Sequence, residues 1–406
     1  MTYSDALDYM YSQLPMYHRI GPAAYKPGLA NTITLLQLVG NPHHDLKCVH
    51  VAGTNGKGST SHLIASVLQE SGYKTGLYTS PHLKDFRERI RINGVMMPEN
   101  DVLEFVDRHK SEWEKIQPSF FEITVAMCFW FFKKEKVDIA VIETGLGGRL
   151  DSTNVITPEV SVITNIGYDH MNLLGDTIEK IAMEKAGIIK ENVPVVIGTM
   201  REKARAVVQA RADELRVPLQ DSSTVSAAAI PPTPLGGLYQ VENCKTSLAT
   251  LAVLQSSFPA ISKEHIRSGF ANVVDNTGLL GRWQIIQADP LVIADVAHNE
   301  DGLRYVLKQI SETPHRRLHF VLGVAGDKDV DRILKLLPSN AHYYFCKANI
   351  PRGMDAEDLR LKASQFQLKG GSHESVIDAF NAAKKSAASD DMVFVGGSVF
   401  TVAEVI

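Results

Sequence analysis

An apolar lead-in, Val49, Val51 and Ala52, runs directly into Gly53-Thr54-Asn55-Gly56-Lys57-Gly58-Ser59 and then into a Ser/Thr run that opens a helical pattern. Few folds accommodate that string. The apolar residues read as a buried strand. Gly53, Gly56 and Gly58 read as a turn whose backbone N–H groups can converge on an anion with no Cβ in the way. The helix N-terminus near Ser59 adds the positive end of a dipole, and Lys57 adds a full charge. Together Gly53, Thr54, Asn55, Gly56, Lys57, Gly58 and Ser59 suit a nucleotide triphosphate. The spacing departs from the common phosphate loop, where Gly-Lys is followed at once by Ser or Thr, because Gly58 intervenes here. A glycine turn that binds nothing is the competing reading, and the lysine inside the loop weighs against it.

Strand-like and helical segments alternate on both sides of this loop. Strands are predicted at Lys47–Ala52, Val137–Glu143, Val160–Asn165 and Val193–Ile197, with helices from about Ser59 to Ser71 and Thr177 to Ile188. Composition shifts to Ser, Ala, Pro and Gly between Ser222 and Gly237, a loop signal. A helical pattern resumes from about Glu242 to Phe258. Past Arg282 a second series begins. Strands are predicted at Trp283–Gln287, Leu291–Asp295, Leu318–Leu322, Ala341–Cys346 and Met392–Val395. Helices are predicted at Gly302–Thr313, Val330–Leu337 and Ser375–Ser389. Alternation of this kind argues for α/β architecture with parallel sheets covered by helices, and for functional residues at the carboxyl ends of the strands. The division is placed at residues 1–282 and 283–406.

With 406 residues, 44% hydrophobic and 22% charged, the chain has enough apolar sequence for two or three cores. A net charge of −4 offers no electrostatic footprint for nucleic acid or an anionic membrane, so any phosphate affinity must be local. Cys48, Cys128, Cys244 and Cys346 are scattered with no Cys-x-x-Cys pair, so buried free thiols in a reducing compartment are expected. The N-terminal stretch lacks a basic segment followed by an apolar one, and the run Ile123–Phe132 is too short to span a bilayer. A cytoplasmic enzyme, working as a monomer, is the expectation.

Three further segments carry chemistry. Glu143 ends an apolar strand beside the phosphate loop, where a carboxylate would hold Mg²⁺, a cation that takes one or two protein oxygens plus phosphate and water. His170 follows Asp169 in a polar loop at another strand end. Lys185 lies among Ala182, Ala186 and Ile189; periodicity alone reads it as an ordinary surface lysine.

Taken together, Gly53–Ser59, Ser80-Pro81-His82-Leu83 with Glu88-Arg89-Ile90, Glu143–Asn154 (ETGLGGRLDSTN), Asp169-His170, Glu184–Lys190 (EKAGIIK), Asp295–Asn299 (DVAHN) and Asp327-Lys328-Asp329 occur in one order. In that order they resemble the folylpolyglutamate synthase/dihydrofolate synthase family of the Mur ligase superfamily. The resemblance runs over nearly the whole chain. It implies a Mur-ligase-like fold, with a P-loop parallel-sheet N-terminal domain for ATP and folate and a smaller Rossmann-like C-terminal domain for glutamate. It also implies an ATP-dependent ligase joining L-glutamate to dihydropteroate and/or tetrahydrofolate through an acyl phosphate. Lys57, Glu143, His170 and Lys185 would be catalytic. One Mg²⁺ would be held by Ser80 and Glu143; a second would involve His170, with Lys185 as a carbamate. Asn243, Arg282 and Asp295 would serve the nucleotide. Ser119, Phe120, Phe121 and Glu122, together with Leu150, Asp151 and Ser152, would line the pterin side. His298 and Ser398 would receive the incoming glutamate. Two departures stand out: Ser119 replaces a usual Thr, and Tyr239-Gln240 replaces His-Gln before Asn243.

Rival readings are weaker. A ligase acting on a UDP-linked precursor would be expected to carry its own domain ahead of the P-loop, which here begins at Gly53. A P-loop switch or motor would need neither an amino-acid acceptor nor a pterin pocket. A non-enzymatic binding module would have no use for Lys57, Glu143 and His170 together.

Overall fold

The computed structural model describes residues 1–16, 21–24, 26, 28–326 and 330–406. Two compact units emerge: one holds Pro22–Pro234 and Gln240–Leu279 with the N-terminal segment, the other Leu235–Tyr239 and Leu280–Ile406.

The first unit is built on eight strands: β1 Cys48–Ala52, β2 Thr75–Tyr78, β3 Ile90–Ile92, β4 Val95–Met96, β5 Ile139–Glu143, β6 Val160–Ile163, β7 Val195–Ile197 and β8 Leu219–Asp221. Their order is β4-β3-β2-β5-β1-β6-β7-β8. Pairing is parallel from β2 through to β8, while β3 and β4 add an antiparallel edge. Every residue of β1 and β5 is buried, as expected of central strands covered on both faces. The register Val51↔Glu143 and Ala52↔Ile163 brings the ends of β1, β5 and β6 level. The loops carrying Gly53, Thr144 and Thr164 therefore emerge side by side.

Two apolar clusters anchor this edge. One joins the Phe120–Lys134 and Glu99–Ile116 helices through Phe105, Trp113, Phe129 and Trp130. The run Ile123–Phe132 is thus a core helix; Ser119 and Glu122 start it with a reciprocal capping box. The other cluster gathers Ile163, Ile181, Ala182, Ile188 and Val208 under the Ile178–Ala186 and Glu202–Leu215 helices. The four cysteines are free and buried. Among the described residues no helix is long and apolar enough to cross a membrane.

The second unit has six strands: β9 Gln284–Ala288, β10 Leu291–Ala294, β11 Leu318–Leu322, β12 His342–Phe345, β13 Lys369–Ser372 and β14 Met392–Gly396. Their order is β13-β12-β11-β14-β10-β9, all parallel except β9 against β10. Phe320, Tyr343, Phe345 and Phe394 fill its core. Trp283 falls outside β9 with φ 46°, so the strand predicted from that residue starts one position later.

Candidate active site

The phosphate loop is tighter than its glycine content alone implies. Gly56 sits at φ 83° as the N-cap of the Lys57–Glu70 helix, which starts two residues before the predicted Ser59. A Cβ on Gly56 would lie 2.2 Å from Asn243 Oδ1, and one on Gly53 1.9 Å from Thr164 Oγ1. Neither position has room for a side chain. The neighbouring strand end clamps the loop. Thr54 N donates to Asn165 O (2.9 Å) and Asn55 N to Asn165 Oδ1 (2.8 Å), while Thr164 Oγ1 donates to Asn55 O (2.6 Å). Gly167 N donates to Thr54 Oγ1 at 3.0 Å. Thr164, Asn165 and Gly167 are thus part of the loop's architecture, a role that sequence reading overlooked; the signal was their place at the end of the strand next to β1.

Two ammonium groups meet here. Lys57 Nζ donates to Gly53 O (3.1 Å) and Thr54 O (3.3 Å), folding back over its own loop. Lys185 Nζ donates to the same Gly53 carbonyl at 2.9 Å. The surface placement read from periodicity is overturned: Lys185 is only 3% exposed, because it shares the inward face of its helix with Ile181, Ala182 and Ala186. Burial, and then the charge of Lys57, push its amine down to about 7, against a partial pull from Asp169, Asp151 and Glu184. A substantial neutral fraction at physiological pH follows. Lys57 and Lys185 over one carbonyl, beside amides freed by glycine, form a place that a polyanion stabilises.

Glu143 closes β5 and is 4% exposed. Ser80 N donates to its Oε2 at 3.2 Å, from a loop that turns through a cis Ser80–Pro81 bond. Glu88 holds that loop by accepting from Leu83 N, Lys84 N and Asp85 N. Behind it, buried Arg89 donates to His82 Nδ1 (2.7 Å) and lies over the Phe120 ring. His170 adopts φ 49°, a conformation costly for a residue with a Cβ, and its N–H donates to Asp169 Oδ1 (2.9 Å). No group of three or more His, Cys, Asp or Glu side chains among the described residues forms a metal cluster by itself. The oxygen-rich set of Ser80 and Glu143 fits a hard cation that completes its shell with phosphate and water.

The loop Glu143–Asn154 is stitched down by its own residues. Asp151 accepts from Leu146 N (2.8 Å), Thr153 N (3.0 Å) and Thr153 Oγ1 (2.5 Å). Leu150 and Ser152 flank it. Gly145 has no space for a Cβ against Phe121, nor Gly148 against the Glu184 carbonyl. Arg149 reaches Glu184 Oε1 at 2.8 Å, and Asn154 Nδ2 donates to the Arg149 and Gly187 carbonyls. The two longest matched segments, Glu143–Asn154 and Glu184–Lys190, are therefore one packed object. Ser119 and Glu122 spend their polar atoms on the helix cap, leaving Phe120 and Phe121 as the apolar members of the predicted pterin wall. Asn243 Nδ2 donates to Gln240 Oε1 (2.8 Å), and Gln240 Nε2 to Ser59 Oγ (3.2 Å), linking the Gln240–Leu254 helix to the loop.

In the second unit the predicted residues lie at the carboxyl ends of β10 and β14. Asp295 is buried and accepts from Trp283 N (2.7 Å), Ala297 N (2.8 Å) and the Tyr239 hydroxyl. Tyr239 thereby has a task that sequence reading left open. Arg282 stands one residue before Trp283, its guanidinium near the Leu280 and Gly281 carbonyls. His298 Nδ1 lies 3.1 Å from Val296 O, while Asn299 caps the Glu300–Glu312 helix. Ser398 caps the Val399–Ala403 helix through Thr401 N (3.0 Å). Asp327-Lys328-Asp329 lie outside the described residues.

Comparison with known proteins bears on the family and the fold. Residues 51–230 match the Mur ligase middle domain, and residues 281–399 the Mur ligase glutamate ligase domain. The chain is 34% identical to the dihydrofolate synthase/folylpolyglutamate synthase of Bacillus subtilis strain 168, over 99% of this chain and 98% of that protein. Escherichia coli FolC in complex with DHPP and ADP superimposes with a TM-score of 0.87 at 32% identity, covering 100% of this chain and 97% of that one. The bifunctional folylpolyglutamate synthase/dihydrofolate synthase of Yersinia pestis complexed with AMPPNP and Mn gives 0.85 at 29%, over 100% and 97%.

Proposed function

The chain belongs to the Mur ligase superfamily, within the dihydrofolate synthase/folylpolyglutamate synthase family, and from that premise we infer how its residues carry the reaction. It is an ATP-dependent ligase that joins L-glutamate to a pterin-bearing acid, with dihydropteroate as one acceptor and reduced folate as another. ATP phosphorylates the acceptor's carboxylate, the glutamate amine attacks the acyl phosphate, and ADP and phosphate leave. Carboxylate meeting triphosphate is anion on anion, so the enzyme's contribution is charge neutralisation and alignment. The observation that carries the reading is the phosphate loop, where Lys57 folds over the Gly53 and Thr54 carbonyls and neither Gly53 nor Gly56 has room for a side chain.

Lys57 exchanges its carbonyl partners for phosphate oxygens, and the Gly53–Ser59 amides hold the remaining charge. Asn243 keeps the Gly56 turn closed. Arg282 and Asp295 serve the nucleotide, Asp295 through the turn that it fixes with Trp283. Ser80 and Glu143 hold a divalent cation, which shields phosphate charge when bound. A second cation is served by His170 and by Lys185 as its carbamate. Carbamate formation joins CO₂ to the neutral amine with loss of a proton, and the depressed amine of Lys185 favours it. The pterin lies along Phe120, Phe121 and Leu150–Ser152, and glutamate is received by His298 and Ser398. We assign residues 1–282 to ATP and folate and 283–406 to glutamate, in a monomeric cytoplasmic enzyme.

The test is a ligation assay with ATP, glutamate and either dihydropteroate or tetrahydrofolate. ADP release should stay low until acceptor and glutamate are both present. Glutamate added to tetrahydrofolate but never to dihydropteroate overturns the first acceptor, and rapid ATP hydrolysis without acceptor overturns the ligase reading.

A further inference from the structure

His50 lies in the middle of β1, three residues before Gly53, and is fully buried between Ile142 of β5 and Ser161 of β6. An apolar residue would serve such a position for packing alone. Instead His50 Nε2 stands 2.8 Å from Thr153 Oγ1, and Thr153 Oγ1 stands 2.5 Å from Asp151 Oδ1. Nδ1 of His50 is buried and has no partner among the described residues.

Proton counting orders this chain. Burial pushes the Asp151 carboxyl above its usual range, but the Leu146 and Thr153 N–H groups and the Thr153 hydroxyl oppose that shift. The carboxylate that this set of donors surrounds only accepts. The single Thr153 hydroxyl proton must then point to Asp151. His50 is left to donate through Nε2–H, with Nδ1 as a bare lone pair. The opposite polarity would leave a buried Nδ1–H unpaired, a costlier defect than an unpaired acceptor. Burial, with the nearby Lys190 charge, pushes the imidazole down to about 3, consistent with a neutral ring.

We propose that His50 is a positioning residue: by donating to Thr153 it commits the hydroxyl proton to Asp151, and so holds the 144–154 loop in the shape the pterin-bearing acceptor meets. The functional half rests on the placement of Leu150–Ser152 at the pterin side; the polarity of the relay does not. The relay also ties the strand that feeds the phosphate loop to the loop that follows Glu143.

Two measurements on the full-length enzyme test this. Long-range ¹H–¹⁵N correlation on histidine-labelled protein should show His50 as the neutral Nε2–H tautomer from about pH 6 to about pH 8. An Nδ1–H tautomer or an imidazolium signal overturns the relay whatever the loop binds. In kinetics, Thr153→Val and His50→Leu should raise KM for dihydropteroate roughly 10-fold, with KM for ATP moved far less. Thr153→Ser and His50→Gln, which keep a hydroxyl and an N–H donor, should recover most of the loss. Should His50→Leu fail to fold, the Thr153 pair carries the kinetic test alone. Equal loss in Val and Ser variants, or ATP and pterin constants rising together, overturns the positioning role. An intact Nε2–H signal with Thr153→Val leaving the pterin constant unchanged instead overturns the pterin-side placement of the loop.

Discussion

The carboxyl edges of the two sheets are built from the same elements and end in opposite electrostatic conditions. At the edge of the first sheet, Lys57 and Lys185 share one carbonyl, Gly56 is left-handed, and His170 holds a φ of 49°. At the edge of the second, Asp295 receives three donors and Ser398 and Asn299 each cap a helix. The first edge gathers like charge that a bound polyanion relieves. The second is satisfied by its own backbone. Repulsion and backbone strain held in place by surrounding structure mark a site made for a ligand; saturation marks the frame around one.

Breaking the first edge should have the largest consequence. Lys57→Ala should lower kcat on the order of 10²-fold or more while circular dichroism stays native, since the residue faces phosphate and not core. Near-normal turnover would dissolve the contrast between the edges. Glu143→Gln should also fold, lose turnover on the order of 10-fold or more, and recover only in part with added Mg²⁺, because the amide keeps shape and loses the charge a hard cation selects. Insensitivity both to this change and to a chelator would remove the metal from Glu143.

Lys185 sharpens the comparison, because its charge costs stability. Its folded value of about 7 lies below the free amine's roughly 10.4, so above about pH 7 the unfolded chain binds more protons than the native one. The penalty is complete below that pH and fades as pH rises toward 10.4. Lys185→Met should therefore raise the ligand-free Tm at neutral pH by several degrees, less at alkaline pH, and still ligate poorly. A lower Tm would mean that the ammonium is well paired. Intact mass and high-resolution density on the metal-loaded enzyme decide whether the amine carries a carbamate.

Substitutions at the second edge should register first as stability. Asp295→Asn should cost about 1–3 kcal/mol in denaturant unfolding, since three buried donors lose a charged acceptor. The smallest effect is expected from Ser398→Ala, about 1 kcal/mol for a lost cap. A rise well beyond 10-fold in KM for glutamate there would show that the hydroxyl touches substrate and is not only a cap.

Sequence alone determined a good deal of this protein, for reasons that are local. The strand, loop and helix around Gly53–Ser59 follow from apolar spacing and from Gly53 and Gly56, where the fold leaves no room for a side chain. Leu318–Leu322 and Leu291–Ala294 read as strands because central parallel strands are continuous apolar runs. The antiparallel edge strands β3 and β4 were not legible, since strands of two or three residues carry little period. The Glu99–Ile116, Glu202–Leu215, Lys263–Ala271 and Ala356–Ser364 helices also went unread. The ligase family was legible from the order of short segments, each weak by itself. What tertiary structure decided is which polar groups meet. Lys185 resembles any helical lysine until the helix face that carries it is buried against the Gly53 carbonyl. Asp151 and Thr153 lie two residues apart, but His50 reaches them from about a hundred positions earlier. Asp295 and Tyr239 are likewise distant in the chain and joined in the fold. Periodicity reports the face on which a residue lies; a charge, a tautomer or a shifted pKa depends on partners that only the packed chain supplies.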